Sequence, residues 1–518
     1  MSILDNQWYL INLIFTYYYE FNYVDFKFFI ILPELLLILF CCLILVFNYN
    51  FNVSFLHKYT CFFLIFLFFF YLLFFFINFS SSIGFFDFFF MNFWIVDLYF
   101  IVFKALIVFL TLITLILSKN ILFVIEKNFL NEFFLLILFA IFFSLTLLSS
   151  NDFFISYISL EGMSFSLYIL ASTIYYSKLS VESAIKYFIL GGVASCILCY
   201  SISLLFLVTS SLDFFSVRFF FSYIPEINGR LDLILIIAGF VFSFLFKLSA
   251  FPCHMWAPDV YEGIWTPVTA FFAIVIKTTV FIFVLRVFCY VLSPLVNLWQ
   301  PLFLVSSIGS IIIGCLGALT QKKIKRFLAY TSINQMGFLL IGLSLDSVNS
   351  IFSSLLFLVV YLIMTVLFFG LLLSLKHFTQ NFQVIFLTDL YSLDKNGSVL
   401  NFLWIITLFS MAGIPPLAGF FTKYYVLMNA IHHSIYFISL VVLIFSTISS
   451  YYYLNFIRYI LFEKKDINNL FFYYHRQMKE VILILIIGSL FLTFFMSFAF
   501  IFFKKIFTLS LACKYILQ

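Results

Sequence analysis

The chain has 518 residues, 65% of them hydrophobic and only 9% charged, with a formal net charge of +5. Soluble domains carry about 25% charged residues, so a water-soluble globule is excluded and a polytopic membrane protein is expected. The small positive charge, with no basic patch interleaved with aromatics, argues against nucleic acid as a partner.

Taken in chain order, the first 25 residues lack a basic n-region and a small-residue cleavage site, and read as an interfacial helix. Hydropathy and a span length of roughly 20 residues then predict about fourteen spans. They cover 28–47, 60–78, 98–118, 132–149, 152–176, 183–209, 231–252, 265–290, 301–320, 325–345, 350–375, 399–430, 436–461 and 480–503. The longest connections, near 210–230, 376–398 and 462–479, have room only for small caps. The 83 Phe, with abundant Ile, Leu and Tyr, point to A+T-rich coding and hence to an organelle genome.

Lysine and arginine divide unevenly between the two faces. Lys119, Lys127, Lys178, Lys322, Lys323, Lys325, Arg326, Lys376, Lys395, Lys464, Lys465, Arg476 and Lys479 fall on one; Arg218, Arg230, Arg286 and the tail Lys504, Lys505 and Lys514 fall on the other. The positive-inside rule makes the first face matrix or cytoplasm, with both chain ends opposite.

Two spans are interrupted, one by "FPCHMWAP" with Pro252 and Pro258, the other by "AGIPPLAG" with Gly413, Pro415 and Pro416. Each break has a lysine nearby, Lys247 and Lys423, and the breaks lie five helices apart. Interrupted helices in matching positions of two halves mark an inverted-repeat transporter. The division expected is 1–130 for an interfacial segment and three spans, 131–290 for a first repeat, 301–461 for a second, inverted one, and 462–518 for a loop and last span.

Charge inside a span costs several kcal/mol and marks function by default. Glu161, Lys247, Lys277 and Lys423 are the strongest instances. Glu34, Lys104 and Glu132 sit nearer span ends, where snorkelling or a static ion pair explains them equally well, which leaves Glu34 and Glu132 as secondary candidates. Glu161 shares a helix face with Tyr157, Ser164, Tyr168, Ser172 and Tyr175, a polar stripe suited to a hydrated path. Lys277 follows Ala273, Thr269 and Thr266 on a small, hydroxylated face. His254, between two lysines in sequence, reads as a proton relay. Asp259 and Glu262 read as interfacial caps of the helix starting near Thr266. A buried ammonium is penalised by desolvation and favoured by a nearby carboxylate. At ~6 Å and an effective dielectric near 20 that attraction is roughly 2.8 kcal/mol, so a shift of a few ångströms loads or unloads a proton.

The cysteines form no disulfide or zinc framework. Cys196 and Cys199 lie in an apolar helix, where cysteine packs as a small hydrophobe. Phosphate-loop, haem and dinucleotide motifs are lacking, so no cofactor is expected in this chain.

The stretches "FKLSAFPCHMWAPDVYEGIWTPVTAFFAIVIK", "GALTQKKIKRFLAYTSINQMGFLLIGL" and "MAGIPPLAGFFTKYY" resemble the antiporter-like subunits of respiratory complex I, the proton-pumping NADH:ubiquinone oxidoreductase, of the subunit 2 (subunit N) type. "LPELLLIL" and "ISLEGMSFSLYIL" extend the resemblance to the amino half. It implies an all-α fold of about fourteen helices in two inverted five-helix repeats. It matches Glu161 and Lys247 to the family's Glu–Lys pair, Lys277 to its central lysine, Lys423 to the lysine of the second broken helix, and His254 to the histidine after the first break. It also implies a mitochondrial inner-membrane or bacterial plasma-membrane setting, with other membrane-arm subunits and phospholipids as partners. NADH, FMN, iron–sulfur clusters and ubiquinone would belong to other subunits. Two alternatives stand beside it: a subunit of a multisubunit cation/proton antiporter, and an assembly scaffold whose buried charges only fix helix packing.

Overall fold

A computed structural model describes residues 32–46, 53–80, 87–89, 93–122, 127–174, 176–223, 231–377, 384–390, 398–462, 472–474 and 484–490. The expected interfacial helix, most of the last span, Tyr175 and Arg230 lie outside them.

Eleven helices among the described residues are long and apolar enough to cross a membrane. In chain order the helices begin with α1 (Leu32–Val46), α2 (Val53–Ser80), α3 (Leu98–Leu122), α4 (Lys127–Ser149), α5 (Phe153–Ala171) and α6 (Lys178–Thr209). Then come α7 (Phe214–Tyr223), α8 (Leu231–Leu248), α9 (Trp256–Gly263) and α10 (Thr266–Val291). They end with α11 (Val296–Thr320), α12 (Ile324–Ser344), α13 (Val348–Ser374), α14 (Ser398–Ala412), α15 (Ala418–His432), α16 (Tyr436–Leu461) and the described turns of α17, 484–490. The eleven long helices, together with α1, the α14–α15 pair and α17, fall at the fourteen positions read from hydropathy. Two short antiparallel hairpins pair Asp87–Phe89 with Trp94–Val96 and Leu375–His377 with Phe472–Tyr474. The first occupies the aromatic segment before α3.

Three local expectations are corrected. The connection 210–230 holds a helix, α7, whose Phe214, Val217 and Phe221 are buried at i, i+3 and i+7; that spacing puts them on one face. Pro258 is not part of the unwound segment, which runs from Ser249 to Met255, but sits in the first turn of α9, where its missing N–H costs no helix bond. The third correction concerns α10, which is not a uniform α-helix. It passes through π-helical turns at Phe272–Ile276 and Val287–Val291, so a side-chain stripe drawn with a simple α period drifts before reaching Lys277.

The centre of the bundle is made by α10, α12 and α13, which are enclosed on nearly all sides, while α2, α6 and α16 present much of their surface outward. The most instructive of these is α12: it is the least apolar of the eleven spans and among the most enclosed. Its polar residues therefore face protein, as the cost of polar groups in hydrocarbon demands. Close approach is arranged by small residues; a Cβ on Gly314 of α11 would come within 2.6 Å of the Asn334 backbone nitrogen of α12.

The order of helices puts the lysine-rich turn Lys322–Arg326, between α11 and α12, at the end opposite α7. A cysteine at Lys322 should be labelled by an impermeant maleimide only from the matrix or cytoplasmic side of sealed vesicles, and one at Ser222 only from the other side. Labelling of both from one side would overturn this orientation.

Candidate functional site

The first break begins where α8 runs out of hydrogen bonds. Ser249 adopts φ 57°, in the left-handed region, and its N–H and that of Ala250 return to the carbonyls of Phe246 and Leu245 at 3.0 and 2.9 Å. The Trp256 indole donates to the Phe246 carbonyl at 2.9 Å, so the loosened helix end is satisfied from beyond the break. Lys247 sits at this end. Its Nζ is sealed from solvent and has no hydrogen-bond partner, and Glu161 of α5 is the carboxylate within electrostatic reach of it.

Glu161 is half-buried. Its near neighbours continue the polar stripe read from the sequence: the Ser164 hydroxyl lies 3.5 Å from Oε2. Tyr157, Tyr168 and Tyr187 also lie within electrostatic reach of the carboxylate. Tyr168 and Tyr187 pack edge to face at 4.9 Å between ring centres, and Tyr187 stacks on Trp256.

Lys277, 2% exposed, lies where the first π turn of α10 ends. Its ammonium donates to the Ser332 hydroxyl of α12 at 2.9 Å and stands 5.2 Å from the centre of the Tyr261 ring. A hydroxyl and an aromatic face stabilise an ammonium without the full compensation a carboxylate gives. Beyond Ser332 opens a cavity of about 20 Å³ lined by Tyr261, Thr331, Gln335, Tyr361, Tyr453 and Met411, among others. A water needs roughly 10–15 Å³. The Tyr361 hydroxyl lacks a hydrogen-bond partner, while that of Tyr261 stands beside Ser332 and that of Tyr453 beside Gln335 and Thr331. A water there would have the Tyr361 hydroxyl and the Ser332 and Gln335 side chains as polar neighbours.

Lys423 approaches the cavity only through Met411, a wall residue whose carbonyl it binds. From α15 it donates to the carbonyls of Met411 and Ala412 at 3.0 and 2.9 Å, capping the negative end of α14. Gly413 makes this possible: its φ is +85°, and a Cβ there would stand 3.1 Å from the Lys423 Nζ. The left-handed conformation and the close approach both favour glycine. Phe338 of α12 offers its ring 5.5 Å from the ammonium. Pro415 and Pro416 follow in the unwound turn.

The structure thus puts Glu161 within electrostatic reach of Lys247, and links Lys277 through Ser332, and Lys423 through Met411, to the wall of one small cavity. It does not join the other candidates to them. His254 is buried, and its Nδ1 lies 3.2 Å from the carbonyl of Pro252, inside its own break. Glu132 is exposed near the start of α4. Glu34 is held in an ion pair with Lys104. Asp259 and Glu262 do not cap α10, whose N-cap is Trp265. They lie in α9 and pair with Lys186 and Arg326, and with Lys323 and Arg326, respectively, while Lys325 donates to the Ile264 carbonyl at 2.6 Å. This network joins α9 to α12 and α6. Ser332, Tyr261, Tyr361 and Tyr453 were not singled out from the sequence; the polar run "YTSINQ" within α12 was the signal for the first. Cys196 and Cys199 are exposed on α6. No group of three or more His, Cys, Asp or Glu that could hold a metal occurs among the described residues.

A polytopic helical bundle with two broken helices and a row of buried lysines is the architecture of an antiporter-like membrane subunit. Residues 150–449 match the model of the NADH:quinone oxidoreductase/Mrp antiporter transmembrane family, and the chain belongs to that family. Among curated relatives, NADH-quinone oxidoreductase subunit N of Pelagibacter ubique is 41% identical over 344 residues, covering 65% of this chain and 70% of that one. NADH-ubiquinone oxidoreductase chain 2 of Marchantia polymorpha is 39% identical over 325 residues, 62% of this chain and 65% of that one. Among solved structures, a chain of respiratory complex I from Thermus thermophilus with bound aureothin superposes with TM-score 0.72 at 24% identity, over 89% of this chain and 96% of that one. A chain of the archaeal membrane-bound sulfane sulfur reductase gives 0.78 at 17%, over 92% and 96%. The Mrp complex from Dietzia gives 0.62 at 19%, over 73% and 68%. At these identities the structural likenesses speak to fold.

Proposed function

We propose that the chain is a proton-translocating membrane-arm subunit of an NADH:quinone oxidoreductase, passing protons along Glu161, Lys247, Lys277 and Lys423. The observation that carries this reading is Lys277: a fully enclosed ammonium held by a neutral hydroxyl, Ser332, that itself lines a water-sized cavity. A lysine kept only for packing would be expected to have a carboxylate partner.

The row works as a set of sites whose charges sense one another. A proton arriving at Lys277 is favoured when Lys423 is neutral and opposed when it is charged, because the two share a low-dielectric interior. In this reading a water in the small cavity beside Ser332, with Tyr361 and Tyr453 on its wall, would carry the proton from Lys277 toward Lys423. At the other end, a change in the distance from Glu161 to Lys247 alters how readily Lys247 holds its proton. NADH, FMN, iron–sulfur clusters and quinone belong to other subunits in this reading, and the chain contributes coupling. The partners are other membrane-arm subunits and surrounding phospholipid. The division into three amino-terminal spans, two inverted five-helix repeats and a last span belongs to the same proposal. So does a mitochondrial inner-membrane location, supported by the aromatic-rich composition and the Marchantia relative.

The alternative within the family is a cation/proton antiporter subunit, and the names of the curated relatives favour the oxidoreductase. Purification of the native complex from membranes separates the two. The chain should co-migrate with NADH-oxidising subunits, and sealed vesicles should develop a pH gradient on adding NADH. A pH gradient driven by sodium or potassium alone, with no NADH-oxidising subunits in the preparation, would overturn the proposal.

A further inference from the structure

A second buried charge cluster lies outside the row. Glu34, in the first turn of α1 and 1% exposed, meets Lys104 of α3 in an ion pair, and the Tyr71 hydroxyl of α2 donates to the same Oε1 at 3.3 Å. Its other oxygen, Oε2, is buried and has no partner. The helices around it are apolar: their interfaces are filled by residues such as Leu37, Cys41, Leu64 and Leu67. An ionised carboxylate has about four lone-pair sites, and leaving one oxygen bare in an apolar interior is costly.

The cluster also has a way out. Asp97 lies seven residues before Lys104, on the same side of α3 two turns nearer its start, and within electrostatic reach of the ammonium. Asp97 pairs with Arg286 at 3.7 Å, and Arg286 donates to the Leu148 carbonyl at 3.1 Å. Arg286 is nine residues beyond Lys277 on α10, near its carboxyl end. Among the described residues, the ionisable groups facing the pair are Tyr71 on α2 and Asp97 just before α3, with Tyr99 and Arg286 reached through Asp97. They lead toward the end of the bundle opposite Lys322–Arg326.

We propose that Glu34 and Lys104 form a second proton-exchange site, separate from the Glu161–Lys423 row, which communicates through Asp97 and Arg286 with that end of the bundle. Loading places one proton on Glu34 Oε2 while Lys104 keeps its charge, so the pair passes from neutral overall to singly positive. Release returns the proton through the Asp97 mouth. The bare oxygen is the acceptor, and the ion pair with Oε1 fixes its orientation. The proposal stands on this local geometry. It depends on the proposed function only in treating the exchanged proton as part of translocation.

Infrared difference spectra of the purified native complex, titrated over pH ~5 to 9, test it. The expected result is a carboxylic-acid C=O band that grows on acidification, is lost in Glu34→Gln, and persists in Lys277→Met. If Glu34→Gln fails to assemble, Glu34→Gln with Lys104→Met keeps the pair neutral and should lose the same band. Absence of any Glu34-dependent band across the range would overturn the site and leave a static pin. Because Lys277→Met reports on the row and Glu34→Gln on the cluster, failure of one reading is distinguishable from failure of the other.

Discussion

Lys277→Met should leave the complex assembled and reduce coupled NADH:quinone turnover by ~100-fold, the lower end of what a positioned proton-transfer group contributes. Methionine fills nearly the volume of the lysine stem, so the enclosed site on α10 keeps its packing. What is lost is the ammonium that donates to Ser332 beside the cavity. Lys277→Ala removes the same proton carrier and adds a void, so it should match Lys277→Met in turnover while being less stable. Turnover of the assembled enzyme in tightly sealed vesicles measures the effect, with native gels as the assembly control. Unchanged turnover in Lys277→Met would show that the lysine is not an obligatory carrier.

The second large effect concerns Glu161 and Lys247. The Lys247 ammonium is sealed, makes no hydrogen bond and has Glu161 as the carboxylate within reach. Glu161→Gln strands a buried positive charge, and Lys247→Met strands the carboxylate. Each single change should impair pumping severely, because breaking a buried pair costs more than the pair contributes. The double variant should be less impaired than the sum of the two, with a coupling on the order of 1 kcal/mol or more. The comparison is made on proton-pumping rates of the four complexes in reconstituted vesicles. Strict additivity would show that the two residues act independently and would leave the switch to Lys277 and Lys423.

Much of this architecture is legible in the residues, for reasons that are physical. Spans appear because apolar runs of about 20 residues must cross the bilayer, and the described helices begin and end within a few residues of the expected limits in most cases. The breaks appear because proline and glycine disrupt a helix whatever surrounds it. Buried lysines stand out against hydrocarbon for the same reason. What the residues do not announce is register and partnership. The π turn before Lys277 is a property of the backbone that no residue pattern announces. Glu262 finds Lys323 across 61 positions and Asp259 finds Arg326 across 67, so neither could be seen as anything but a local cap. Ser332, Tyr361 and Tyr453 come from three different helices and become a site only when those helices meet. His254 shows the converse: lying between two lysines in sequence, it turns back in space to the carbonyl of Pro252.

The central claim is that the buried row of lysines carries protons. The most direct measurement is the number of protons translocated per NADH oxidised in sealed vesicles, comparing the native complex with one in which Lys247, Lys277 and Lys423 are all methionine. The row predicts an assembled complex that still oxidises NADH when uncoupled and translocates fewer protons per NADH; an equal number from the triple variant would contradict it.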